Sequence, residues 1–152
     1  MLASAFGDPS IQLRRSKAGR NLSLHRYQTG EQFFEGLQNG EPTTQADTFY
    51  SAGIVAQLAL SAHLLDVGFA DQWCARHIGL HVSKALSYAN GTGLDCEGET
   101  IAKLAETLSP YWKWNAISRW DRASSDNAGF AFADVVTQLR MLLDRVSQVT
   151  DG

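Results

Sequence analysis

Residues 46–67 read ADTFYSAGIVAQLALSAHLLDV. Tyr50, Ile54, Leu58 and Leu65 recur at helical spacing on one side, with Val55 and Leu64 beside them, so the run predicts a helix and not a strand. Ser51, Ala52, Gly53, Ala56, Ala59 and Ala62 keep much of its surface thin, which lets a neighbouring helix approach backbone to backbone. A glycine in a helix interior costs about 1 kcal/mol relative to alanine, a penalty that close packing at Gly53 would offset. Val67-Gly68 ends the run. Its longest apolar part, Ala52 to Leu65, is interrupted by Gln57, Ser61 and His63 and falls short of the roughly 18 residues that a spanning helix needs. The expectation is the central helix of a bundle, with no membrane span.

Working downstream, a helical stretch over 70–89 stops at Asn90-Gly91-Thr92-Gly93. Asp95, Glu97 and Glu99 then place carboxylates at the start of a helix carrying Ile101, Leu104, Ala105 and Leu108. Ser109-Pro110 predicts a new helix start, followed by Tyr111, Trp112, Trp114, Ile117 and Trp120. Over 128–149, Phe132, Val135, Leu139, Leu142, Val146 and Val149 alternate three and four apart, with Val136 and Leu143 widening the stripe. Such a seam is covered either inside a bundle or between two chains. Three heptads are the lower limit for a coiled coil, so the bundle is preferred.

Upstream, Thr29 and Gln32 have capping-box spacing ahead of Phe33, Phe34 and Leu37, and Asn39-Gly40 is a stop. The first 28 residues hold two short alternating runs, Ile11-Gln12-Leu13 and Leu22-Ser23-Leu24, around Lys17-Ala18-Gly19-Arg20. They suit a hairpin or a loosely ordered extension. The predicted fold is an all-α bundle of four to five main helices in one domain over 29–152, preceded by a basic, partly ordered extension over 1–28.

Composition agrees with one domain: 152 residues, 44% from the AVILMFWYC set and 19% charged, against roughly 25% charged in typical soluble domains. Disorder over most of the length is excluded. The net charge of −3 conceals an asymmetry. Residues 1–26 hold five basic residues against one acidic, a net of +4, and the other 8 basic and 15 acidic residues give −7. Met1 to Phe6 lacks the basic region and long apolar core of a secretory signal, so a cytoplasmic location is expected. Cys74 and Cys96 are too few for a disulfide framework and read as reduced thiols.

Three constellations could carry function. The first is aromatic: Trp112, Trp114 and Trp120 with Arg119 and Arg122 combine the residue types that dominate binding hot spots. With the low charge and the heptad seam, they make a non-catalytic binding or regulatory protein the leading expectation. It would act through contacts with a protein partner or with a second copy of itself, and it needs no cofactor.

The second lies at 74–88. Ala75 stands four residues before Gly79, and Cys74, Ile78, Leu80, Ala85 and Tyr88 are apolar or small. This pattern resembles the DNA-binding helix-turn-helix, with Val82 to Tyr88 as recognition helix. The resemblance implies that Ser83, Lys84 and Ser87 face a major groove, that Arg76 and His81 lie near phosphates, and that Arg14, Arg15, Lys17 and Arg20 add backbone contacts. Nucleic acid is thus the alternative partner. An unbroken helix over 70–89 is the competing reading, so a break at Gly79 separates the two.

The third is Cys74, His77 and His81, spaced three and four apart and therefore on one face of an unbroken helix. These ligand types suit zinc, with His63 and Asp66 of the preceding helix able to complete a site if the two helices pack antiparallel, and Cys74 near a helix start with His77 one turn on could serve as a thiol nucleophile. Burial in the core accounts for the same residues, and no catalytic residue is assigned.

Overall fold

The computed structural model describes residues 13–40, 44–109 and 130–150. Among these the protein is an all-α bundle of six helices: α1 (Lys17–Asn39), α2 (Gln45–Val67), α3 (Asp71–His77), α4 (Val82–Gly91), α5 (Glu99–Thr107) and α6 (Phe132–Thr150). Helix α2 lies at the centre and packs on α1, α4 and α6, while α5 closes the side between α4 and α6.

The thin surface of α2 works as its composition suggests. Ala52, Ala56, Ala59 and Ala62 are buried, and α1 answers with small residues of its own. Ser23 is buried and its hydroxyl donates to the Ala62 carbonyl at 2.6 Å. A Cβ added to Gly30 would stand 3.3 Å from the Leu58 Cβ, so the two helices cross at a point where only glycine fits without a shift. The α2 segment 46–67 is long and apolar enough to cross a membrane by length and composition, yet 61% of that window is buried inside the bundle. Its apolar residues form the core that the other helices cover.

Helix α1 corrects two expectations. Residues 17–28 form neither a hairpin nor a loose extension but the first half of a 23-residue helix. Ser16 caps it, its Oγ accepting from the Gly19 N–H at 2.9 Å. Gly19, Ser23, Gly30 and Phe34 share one helical face toward α2, a stripe whose small members resemble turn residues when read locally. Thr29 does not start a helix. It lies mid-helix, where its hydroxyl donates to the His25 carbonyl.

The heptad stripe of α6 lies inside the bundle. Val135, Leu139, Leu142, Leu143 and Val146 are buried. Arg140, on the flank of that stripe, makes two hydrogen bonds to the Glu31 carboxylate at 2.9 and 2.6 Å and lies over the Phe34 ring, tying α6 to α1. Its hydrogen bonds, and then that from Tyr27, hold Glu31 below the usual carboxylate range. On α5, Ile101, Leu104 and Ala105 face the core, as does Leu108 just beyond it.

Candidate nucleic-acid interface

The chain over 70–91 breaks at Gly79. Helix α3 ends at His77, the Ile78 and Gly79 N–H groups close onto the Cys74 carbonyl, and Gly79 takes a φ of +59°, a left-handed conformation that glycine adopts at little cost. The Gln57 side chain donates to the Gly79 carbonyl at 3.3 Å, fixing the turn to the central helix. Helix α4 restarts at Val82, and the Ser109 hydroxyl accepts from the Ser83 N–H at 2.7 Å, satisfying one of its open N-terminal donors. Two short helices joined by residues 78–81 are the connectivity that the helix-turn-helix resemblance expects, with Leu80, one of its apolar positions, exposed.

Packing decides which face of α4 is outward. Val82, Ala85, Leu86 and Ala89 are buried, at helical spacing on one side, while Lys84 and Ser87 are exposed on the other. Ser83 and Tyr88 are half-buried between them. On α3, Arg76 is exposed. The two helices are locked by rings: Trp73 of α3 meets Tyr88 of α4 edge-on at 5.3 Å, Phe69 touches both, and His77 lies against Trp73 at 4.8 Å.

The basic residues at the start of α1 stand beside this unit. Gly68 ends α2 with a φ of +115°, its carbonyl accepting from the Arg14 N–H at 3.3 Å. Three residues later α3 begins at Asp71, which Arg26 of α1 holds at 3.1 Å. Arg14, Arg15, Lys17 and Arg20 are all exposed. Arg15 and Arg20 approach Asp66 at 3.7 and 3.8 Å. One turn before Asp66, His63 reaches Thr92, the residue after α4, with 3.1 Å between Nε2 and Oγ1. The basic corner therefore adjoins the C-terminal end of α4.

Sequence spacing names His63 and Asp66 only as groups that could complete a metal site with Cys74, His77 and His81, and does not show their burial. Both read as polar interruptions of an apolar helix, and a buried polar residue in such a run is the signal that could have marked them. His63 is 2% exposed and its Nδ1 lacks a hydrogen-bond partner among the described residues. The Thr92 hydroxyl donates to main-chain carbonyls of α4, so His63 is placed to donate from Nε2. Burial lowers its pKa to about 4, against which Asp66 acts in the opposite direction.

The metal and thiol constellation loses its geometric premise. Gly79 interrupts the helix, so His81 no longer shares a face with Cys74 and His77 and instead stands exposed at the N-cap of α4. Cys74 lines a cleft with Arg26, Leu64 and Ile78, whereas His77 lies on Trp73. Burial, then Asp71, pushes the Cys74 thiol up to about 11, the reverse of an activated nucleophile. Among the described residues no group of three or more His, Cys, Asp or Glu side chains could hold a metal ion. Trp112, Trp114, Arg119, Trp120 and Arg122 lie outside the described residues.

A separate apolar cleft of about 880 Å3 opens between α1, the start of α2 and the start of α6. Phe33, Leu37, Phe49, Phe130 and Phe132 line it, with Phe33 45% and Phe132 49% exposed. No family model, curated protein or solved structure matches this chain.

Proposed function

We propose that the protein is a small, non-catalytic DNA-binding protein of the cytoplasm, which lays α4 against duplex DNA and holds phosphates with the basic corner at the start of α1. The observation that carries this reading is the break at Gly79, which leaves Lys84 and Ser87 outward on a helix whose other face is buried. Lys84 and Ser87 would face the major groove, with Arg76 and the corner residues Arg14 and Lys17 on the backbone. One lysine and one serine offer few bidentate base contacts, so the expected binding is dominated by phosphate and only weakly selective for sequence. Fluorescence anisotropy with a labelled mixed-sequence duplex at low salt tests it. Binding is expected to fall linearly in log K against log salt and to weaken on Lys84→Ala. Absence of binding at low salt removes the reading.

A second reading, self-association through helix faces, draws its support from Phe33 and Phe132. Two phenylalanines about half exposed on one apolar cleft suit contact with a second copy of the chain. The part of the α6 seam from Val135 to Val146 is buried within the bundle, and of that seam it is Phe132 that lies exposed on this surface. A light-scattering mass of one chain at micromolar concentration would remove this alternative. A mass of two chains that reverts to one on Phe33→Ser would favour it.

A further inference from the structure

Asp66 is a nearly buried carboxylate whose ion pairs are long. It occupies the last turn of α2, where the macrodipole already presents negative charge, and its side chain is only 8% exposed. Its ion-pair partners, Arg15 and Arg20, lie at 3.7 and 3.8 Å, beyond hydrogen-bonding distance, and each is 61% exposed. All three line a cleft of about 630 Å3 at the start of α1, together with Lys17, Ser147 and Thr150. Because Asp66 is nearly buried, its attraction for the two guanidiniums is screened less than that of a surface pair, although neither pair is within hydrogen-bonding distance. A guanidinium matches phosphate as well as it matches carboxylate, which makes Asp66 and a DNA phosphate competitors for the same two side chains.

We infer that Asp66 is an internal competitor for phosphate, holding Arg15 and Arg20 in the cleft and so lowering the affinity of the basic corner. The inference rests on the DNA-binding reading. Arg14 and Lys17 form the part of the corner that Asp66 does not hold, and they are the residues expected to contact the backbone in the unaltered protein. Loss of the Asp66 charge releases two more cations onto the surface that carries Lys17.

Each phosphate contact contributes a slope of about 0.9 in log K against log salt, or about 3.5-fold in affinity between about 50 and 200 mM salt. Asp66→Asn is expected to tighten binding of a short mixed-sequence duplex and to steepen that slope by one to two contacts. Adding Arg15→Ala and Arg20→Ala to Asp66→Asn is expected to return the slope to its original value. In the protein that keeps Asp66, the same two arginine substitutions are expected to change the slope by less than one contact, whereas Arg14→Ala with Lys17→Ala lowers it by about two. A slope unchanged in folded Asp66→Asn overturns the inference. So does an equal loss from the two pairs of substitutions in the Asp66 protein, an arm that uses exposed residues and does not depend on how Asp66→Asn folds. DNA binding by the unaltered chain with either of those results leaves the DNA reading standing and removes only the role of Asp66. No DNA binding by the unaltered chain at about 50 mM salt overturns both.

Discussion

Lowering the pH from 7.5 to 5.5 is expected to destabilise the fold through one side chain, His63. The imidazole is 2% exposed, sits against Thr92 and has a pKa held down to about 4 by burial, while the unfolded chain returns it to the ordinary value of 6.5. The folded pKa is depressed, so between those two values the unfolded state binds the proton that the folded state refuses. Stability from this source is fully present above pH 6.5 and is lost as the pH falls toward 4. With about 1.4 kcal/mol for each tenfold difference in proton affinity, the loss is about 1.4 kcal/mol by pH 5.5 and about 2.5 kcal/mol by pH 4.5. The upper half of that window lies above the range in which carboxylates titrate, which isolates the histidine. Urea unfolding at half-unit intervals from pH 7.5 to 5.5 reads it as a falling midpoint at constant m-value. His63→Gln keeps a polar side chain beside Thr92 but does not titrate, and its midpoint is expected to stay level over the same range. A level midpoint in the unaltered protein, or an equal slope in His63→Gln, would refute the reasoning.

Two further predictions rest on backbone geometry and burial. Gly79→Ala is expected to cost about 1 to 2 kcal/mol, because φ is +59° but an added Cβ meets nothing closer than the Ala75 carbonyl oxygen at 3.7 Å. Gly68→Ala is expected to cost clearly more, since its Cβ would stand 2.5 Å from the Arg14 backbone nitrogen and 2.7 Å from its carbonyl carbon. Chemical denaturation ranks the two, and equal losses would show that the chain before α1 yields freely. The Cys74 thiol, raised to about 11, is expected to react with iodoacetamide near neutral pH far more slowly than a small free thiol. Labelling at the free-thiol rate would contradict its burial.

Much of the bundle was legible because its signals are periodic. The run over 46–67 and the stripe from Val135 to Val146 each repeat over several turns, and both became buried helix faces. Residues 17–28 misled because the face of α1 that meets α2 is built from Gly19, Ser23 and Gly30, small residues whose local reading is a turn. Their meaning depends on a partner helix 39 positions away from Ser23, at Ala62. At 70–91 the residues allowed either a continuous helix or a turn at Gly79, since one glycine is compatible with both. The anchoring of the turn by Gln57 and the capping of α4 by Ser109 are long-range contacts that spacing does not reveal.

Composition and period within single segments specify an all-α chain with a central small-residue helix, an apolar C-terminal stripe and a cationic start. Tertiary structure alone decided that α3 and α4 are separate helices and which side of α4 faces outward. It alone brought Arg15 and Arg20 to Asp66, and it buried His63 beside Thr92. The physical reason is that desolvation, ion pairing and helix-end capping depend on groups brought together across dozens of residues, and such proximity is a property of the packed bundle.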